Sequence, residues 1–358
     1  MKRLSIDIET YSPIALNKTG VYRYAEDVEI LLVAWAWGDE PVTVWDMTAG
    51  DATNDDVQQM IDEADEVVVH NSNFERTVFR ACGIDLPVTK IDDAMVVALL
   101  HGLPGALGML CDVLGVPQDK AKDKDGKKLI NLFCKPRPKN VKLRRATRET
   151  HPDEWQRFIQ YAGLDVDAMR CVCERLPRWN DTDRERNLWR LDQDVNDAGI
   201  AVDVELATAA LRAFERASGA LAAAATGLTD GAVTSTTQRA KLIGHLEEVH
   251  GFEVADLTKA TVDRLLRDTG TPPEVRELLE NRQQAAATSP AKYRALLEAV
   301  GRDGRLRGTI QFSGAARTAR DAGRIFQPQN LPRPTMSRAQ IEFGIACMKA
   351  DCEDLLYD

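Results

Sequence analysis

The stretch Ser5-Ile6-Asp7-Ile8-Glu9-Thr10 places two carboxylates at i and i+2 around an isoleucine. In a β-strand such residues project to one face and their neighbours to the other. A strand over residues 2–9 therefore sends Asp7 and Glu9 to one side and Ile6 and Ile8 into the opposite layer. Two carboxylates side by side on a buried strand end are costly to desolvate. A divalent cation between them removes that cost. The stretch reads as one part of a metal site, and the first half of the chain as what completes it.

Moving outward, Ile30-Leu31-Leu32-Val33-Ala34-Trp35-Ala36-Trp37 is nearly all apolar, as a strand buried on both faces is. Residues 42–45 form a further short strand, reached by a hairpin through Gly38-Asp39-Glu40-Pro41. Residues 55–64 have helical periodicity. Val67-Val68-Val69-His70 is a compact strand, and Asn73 is the expected N-cap of a helix over 74–81. Helices are expected over 93–100, 106–114 and 155–176. Strands first, then alternation of strand and helix, predict an α/β domain with a mixed sheet. Leu176-Pro177 closes it. From residue 181 the chain is almost wholly helical, with helices expected over 184–197, 204–228, 236–248, 259–268 and 273–298, the last interrupted at Pro290. Residues 302–333 read as strands and loops, and 338–356 as a final helix.

The chain has 358 residues, enough for two or three domains, and a net charge of -10. That charge argues against nonspecific coating of nucleic acid but leaves room for a local basic surface. Residues 118–148 supply one, with 12 Lys or Arg against 3 Asp. Lys135-Pro136-Arg137-Pro138-Lys139 cannot be helix. A solvated loop is one reading. Because the sign opposes the rest of the chain, a phosphate-contacting loop through Lys135, Arg137 and Lys139 is favoured. Seven scattered cysteines read as free thiols of a reducing compartment. The N-terminus carries no apolar signal core, and no apolar run reaches a membrane span. A soluble, cytoplasmic protein without membrane contact is expected.

Three acidic clusters recur in the first half: Asp7 with Glu9, Glu75 after the strand 67–70, and Tyr161 with Asp165 on the long helix. Spacing of i and i+4 puts Tyr161 and Asp165 on one helix face. Singly, each fits a structural role: a polar strand end, a carboxylate favoured by a helix N-terminus, a surface pair. Their order and setting give them joint meaning. Four converging carboxylates suit hard, oxygen-ligated Mg²⁺ or Mn²⁺ rather than zinc. Two such ions about 4 Å apart can hold an attacking water and a leaving oxygen of a phosphodiester in line.

Ser5-Ile6-Asp7-Ile8-Glu9-Thr10, His70-Asn71-Ser72-Asn73-Phe74-Glu75 and Tyr161-Ala162-Gly163-Leu164-Asp165 resemble the three exonuclease motifs of the DEDD superfamily, in its Tyr-type branch. That branch supplies the proofreading domain of family A DNA polymerases. The resemblance implies a ribonuclease H-like mixed sheet with flanking helices. It also implies two metals bound by Asp7, Glu9, Glu75 and Asp165, and a Tyr161 that orients the attacking water. Asn71 would lie near the substrate strand, and nucleoside 5′-monophosphates would leave a DNA 3′ end. The second motif commonly ends in Asp; Glu75 is one methylene longer and resembles a phage branch of the family.

The second half resembles the same polymerases. Ser289-Pro290-Ala291-Lys292-Tyr293 is similar to a thumb helix. Gly314-Ala315-Ala316-Arg317-Thr318-Ala319-Arg320 and Gln327-Pro328-Gln329-Asn330-Leu331-Pro332-Arg333 are similar to the template-primer segment at the palm entry. By that resemblance Arg317 and Arg320 meet phosphates, while Gln329 and Asn330 reach minor-groove acceptors. The palm's catalytic Asp motif and the fingers helix are not found after Arg333. The expectation is an exonuclease domain over 1–178, a helical thumb-like domain over 179–300 and an incomplete palm over 301–358. Such a chain trims frayed or single-stranded 3′ ends, in a host cytoplasm if phage-encoded, and does not polymerise alone. Two alternatives stay open: a ribonuclease of the same superfamily, and a DNA-binding half that needs a second polypeptide carrying palm and fingers.

Overall fold

The computed structural model describes residues 1–117, 126–138, 140–235, 237–287, 291–315, 318–327, 330–331 and 333–352, with backbone alone at 286 and 287. Lys139, Arg317 and Gln329 lie outside the described residues.

The expected strand at the front is β1 (Arg3–Tyr11). Helix α1 (Leu16–Ala25) and β2 (Glu29–Trp37) follow, then β3 (Thr43–Asp46), α2 (Asn54–Glu63), β4 (Glu66–Val69), α3 (Ser72–Ala81) and β5 (Ile91–Asp93). The five strands make one mixed sheet in the order β3-β2-β1-β4-β5. β1 pairs antiparallel with β2, setting Asp7 opposite Ala34 and Glu9 opposite Leu32, and parallel with β4. Alternation along β1 is as expected. Leu4, Ile6 and Ile8 are buried against Val57, Ile61, Val78 and Phe79 of α2 and α3. Each such side chain contributes about 1.5–3 kcal/mol.

The opposite face is covered by α4 (Ala94–Leu100), α5 (Leu107–Leu114), α6 (Gly126–Phe133) and the 24-residue α7 (Pro152–Arg175). Leu32, Ala34, Leu110, Phe133, Trp155, Phe158, Tyr161 and Val166 form one core there. β2 contributes to both cores, which explains its unbroken apolar run.

Three local expectations change. α1 carries no periodic signal in the sequence, because Gly20 at φ 76 interrupts it. The helix after β4 starts at Ser72, not after Asn73, and its N-cap is Asn71 in a left-handed conformation without a side-chain cap bond. Asp93 ends a strand rather than opening a helix. One carboxylate accounts for the last two changes: Asp93 accepts hydrogen bonds from the backbone N–H of Asn71 (3.0 Å) and Ser72 (2.7 Å) while capping α4 at Met95 (2.9 Å).

The chain divides into two compact units, residues 1–202 with 298–331 and residues 203–297 with 332–358. These do not coincide with the expected divisions at 178 and 300. The reason lies in α8 (Asp183–Ala198). Its Trp189 joins the core beside α2 and α3, and its Asp197 pairs with Arg76 and Arg80, each at 2.7 Å. Asp197 also accepts from the Tyr22 hydroxyl at 2.6 Å. β6 (Ile200–Ala201) then completes this part of the unit.

The second unit holds α9 (Val204–Leu228), α10 (Arg239–His250), α11 (Lys259–Arg267) and α12 (Pro273–Ala287). Leu242, Leu246, Val262, Leu265, Val275, Leu278 and Leu279 form its core. α12 ends before Pro290 and α13 (Ala291–Ala299) resumes after it. Back in the first unit, β7 (Arg305–Leu306) pairs antiparallel with β6. β8 (Ile310–Ala315) and β9 (Arg320–Gly323) form a hairpin. Asn196 of α8 bonds both the N–H and the carbonyl of Ile310. The last helix, α14 (Arg338–Lys349), belongs to the second unit and closes seven residues earlier than expected, with an N-terminal capping box at Ser337.

Asp192 of α8 is buried, and burial together with the charge of Asp321 pushes its pKa up to about 7. A raised carboxyl favours folding while protonated. Its contribution is full below the ordinary carboxylate range and is lost as pH rises through about 7. Stability measured by denaturant unfolding between pH 4 and 8 is expected to fall by roughly 2–4 kcal/mol through this group. Asp192→Asn flattens that fall; an unchanged pH slope in the variant counts against it.

Candidate metal centre

β1 and α7 bring three acids together. One carboxylate oxygen from each of Asp7, Glu9 and Asp165 lies within 4.8 Å of the others. Asp7 and Glu9 arrive by strand alternation, and Asp165 by its place on the α7 face that covers the sheet. Glu9 and Asp165 are buried and Asp7 is half-buried. All three are hard oxygen donors.

Glu75 stands beside this set without belonging to it. It is carried on the first turn of α3 and is 2% exposed. Burial first, then the charges of Asp7 and Asp93, hold its carboxyl well above the usual range. Its Oε2 has no hydrogen-bond partner among the described residues. A buried oxygen of this kind next to three acids is the donor that a cation would satisfy. The residues present therefore fit Mg²⁺ or Mn²⁺.

Tyr161 lies one helical turn before Asp165. It is fully buried, and its ring stacks on Phe158 with centroids 6.4 Å apart and planes 6° from parallel. Burial, then the charges of Asp165 and Glu9, drive its pKa far above the ordinary phenol value. The hydroxyl keeps its proton across the physiological range.

Beside Glu9 a cleft of about 650 Å³ opens between the end of β1, the start of α1 and the end of α6. Its walls include Ile14, Leu16, Phe74, Ile130 and Lys135. The Cys134 thiol donates to Glu9 Oε2 at 3.6 Å, and burial and the Glu9 charge push the thiol pKa up, so it remains a donor.

The other expected contact residues are dispersed. Asn71 is exposed, with its backbone N–H on Asp93. Lys135 is exposed and donates to Asn131 at 2.8 Å, and Arg137 is half-buried. Part of the basic segment is engaged elsewhere: Arg145 lies over the Tyr11 ring at 4.0 Å and pairs with Glu29. Arg320 is exposed at the start of β9, and Asn330 donates to Gln327. Sequence reasoning missed Asp93 and Cys134. Asp93 had a signal, an acid directly before the apolar helical run of residues 94–100; Cys134 had none.

No family model matches the sequence. The fold is that of a DNA polymerase domain: 93% of the chain superposes on 52% of the POL domain of Pol1 from M. smegmatis, solved with DNA primer-template and dNTP, at a TM-score of 0.59 and 16% identity. In sequence, the chain is 37% identical over 340 residues to the DNA polymerase of Bacillus phage SP02, matching 93% of this chain and 52% of that one. The chain is a relative of the phage-type family A DNA polymerases and spans about half the length of the relative it matches. Among the described residues, no helix is long and apolar enough to cross a membrane.

Proposed function

We propose that this chain is the proofreading portion of a family A DNA polymerase. It hydrolyses DNA from the 3′ end with two divalent metals and releases nucleoside 5′-monophosphates. The convergence of Asp7, Glu9 and Asp165 within 4.8 Å carries the proposal. In this reading the first part of the chain is ribonuclease H-like, and the helices of the second unit are thumb-like.

Asp7, Glu9 and Asp165 would hold the ions, with Glu75 completing the set. Bound Mg²⁺ or Mn²⁺ supplies charge to the phosphate and lowers the pKa of a bound water. The protein does the rest. The apolar walls of the cleft beside Glu9 pack a terminal base and exclude bulk water. Tyr161, held protonated, can orient a water through its hydroxyl but cannot take its proton. Cys134 fixes one oxygen of Glu9. Lys135, Arg137 and Lys139 contact the phosphates of the incoming strand, and Asn71 lies at its edge. Arg317, Arg320, Gln329 and Asn330 belong to the duplex contacts that a polymerase makes.

A 5′-labelled single strand incubated with the protein and Mg²⁺ is expected to shorten one nucleotide at a time from its 3′ end, and a chelator to stop it. A strand left intact at saturating Mg²⁺ and Mn²⁺ rejects the assignment; faster loss of RNA than of DNA favours the ribonuclease alternative. Neutralising Lys135, Arg137 and Lys139 together is expected to weaken single-strand binding and reduce the slope of log K against log salt by about 0.7 per lost phosphate contact. An unchanged slope returns the segment to a solvated loop.

A second reading follows from the similarity to a phage DNA polymerase: the chain contributes template contacts to DNA synthesis without trimming 3′ ends. Metal-dependent 3′ trimming by this chain would contradict it.

A further inference from the structure

The buried aromatic ladder under the acidic centre ends on a glycine. Phe133, the last residue of α6, stacks on Phe158 at 5.2 Å, and Phe158 stacks on Tyr161. The Tyr161 ring is also met by Gly126, the first residue of α6. A Cβ at position 126 would fall 2.0 Å from Tyr161 Cε2, 2.5 Å from Cδ2 and 2.7 Å from Cζ. Real carbons do not approach so closely, and in a packed interior, with Tyr161 and Phe158 both fully buried, either the ring or α6 must move. Both ends of α6 thus bear on one stack, and Cys134, the residue after α6, bonds Glu9.

We propose that Gly126 is a positioning residue that acts through Tyr161. Its bare backbone lets α6 close against the ring, and this contact fixes where the Tyr161 hydroxyl sits relative to Asp165 and Glu9. The proposal rests on the nuclease reading for its catalytic consequence, while the contact itself stands without it. Any side chain at 126 shifts the ring, and a shift of about 1 Å at an orienting group can cost on the order of 100-fold in rate.

The test is a cycle of Gly126→Ala, Tyr161→Phe and the double variant, read as kcat and KM for 3′-end trimming with Mg²⁺. Gly126→Ala is expected to lower kcat about 100-fold with KM within about twofold of wild type. Tyr161→Phe, which keeps the ring and loses the hydroxyl, is expected to lose a similar factor. The double variant should be no slower than Tyr161→Phe alone, because the misplaced group is already gone. A general structural effect of alanine would persist in the phenylalanine background, so multiplied losses overturn the proposal.

Thermal melting supplies a readout without activity. Gly126→Ala should lower Tm in the wild-type background and leave it unchanged in a Tyr161→Ala background, where the ring is absent. Equal Tm losses in both backgrounds overturn the contact even if the single variant is too unstable to assay. A wild-type chain inactive on DNA would reject the nuclease reading, and the melting cycle would still decide the contact.

Discussion

Asp7→Ala combined with Glu9→Ala is expected to reduce metal-dependent 3′ trimming by about 10³-fold or more, with the fold retained. The magnitude follows from what the two residues hold. Removing a charge-stabilising partner from a water-poor site costs about 3–4 kcal/mol, and every 1.36 kcal/mol is a decade in rate. Retention of the fold follows from the geometry. Asp7 and Glu9 project from the face of β1 opposite Leu4, Ile6 and Ile8, so the apolar layer is untouched. Without metal, these acids crowd Asp165 and, from Asp7, Glu75. Alanine removes that repulsion, so the metal-free variant should melt no lower than the metal-free wild type. Saturating Mn²⁺ should raise Tm of the wild type and leave the variant unchanged, since a ligand stabilises only the state that binds it. Trimming at the wild-type rate in the double variant would show that the site is not catalytic.

Asp93→Ala should lower the stability of the first unit by about 3–5 kcal/mol. Asp93 is 4% exposed, and its carboxylate accepts from Asn71, Ser72, Met95 and, at 3.4 Å, Val96. It joins the starts of α3 and α4. Alanine leaves these N–H groups without their acceptor, those of Ser72 and Val96 in a buried place, and each unsatisfied buried donor costs about 1–3 kcal/mol. The left-handed conformation of Asn71 loses the bond that holds it, which adds strain. Asp93→Asn keeps one acceptor oxygen and should lose about half as much. Urea unfolding at neutral pH measures both; a loss under about 1 kcal/mol for alanine would mean that water replaces the carboxylate. Because Glu75 lies on the first turn of α3, the alanine variant should also bind Mn²⁺ more weakly.

Much of this could be read along the chain. The i, i+2 acids of β1 and the i, i+4 pair of α7 depend on geometries of 2.0 and 3.6 residues that hold wherever the element forms. The unbroken apolar run of residues 30–37 announced a strand covered on both faces. The likeness to phage polymerases was legible in short motifs, and the homology supports it. Glu75 was legible as a departure in length, and the structure sets it near Asp7 but outside the set of three acids that lie mutually within 4.8 Å.

Other features had no local signature. Gly126 looked like one residue of a charged run, and Cys134 like one thiol among seven. Their partners, Tyr161 and Glu9, lie 35 and 125 positions away, and only the packing of α6 on α7 and β1 joins them. The place of α8 was decided the same way, by Asp197 receiving Arg76 and Arg80 from more than a hundred residues upstream. The sequence by itself determined which residues could share a face, because strand and helix periods are properties of the backbone. Which faces meet, how closely, and therefore which glycine and which thiol serve the acidic centre, were decided only by tertiary packing, where contact depends on the shape of the whole core.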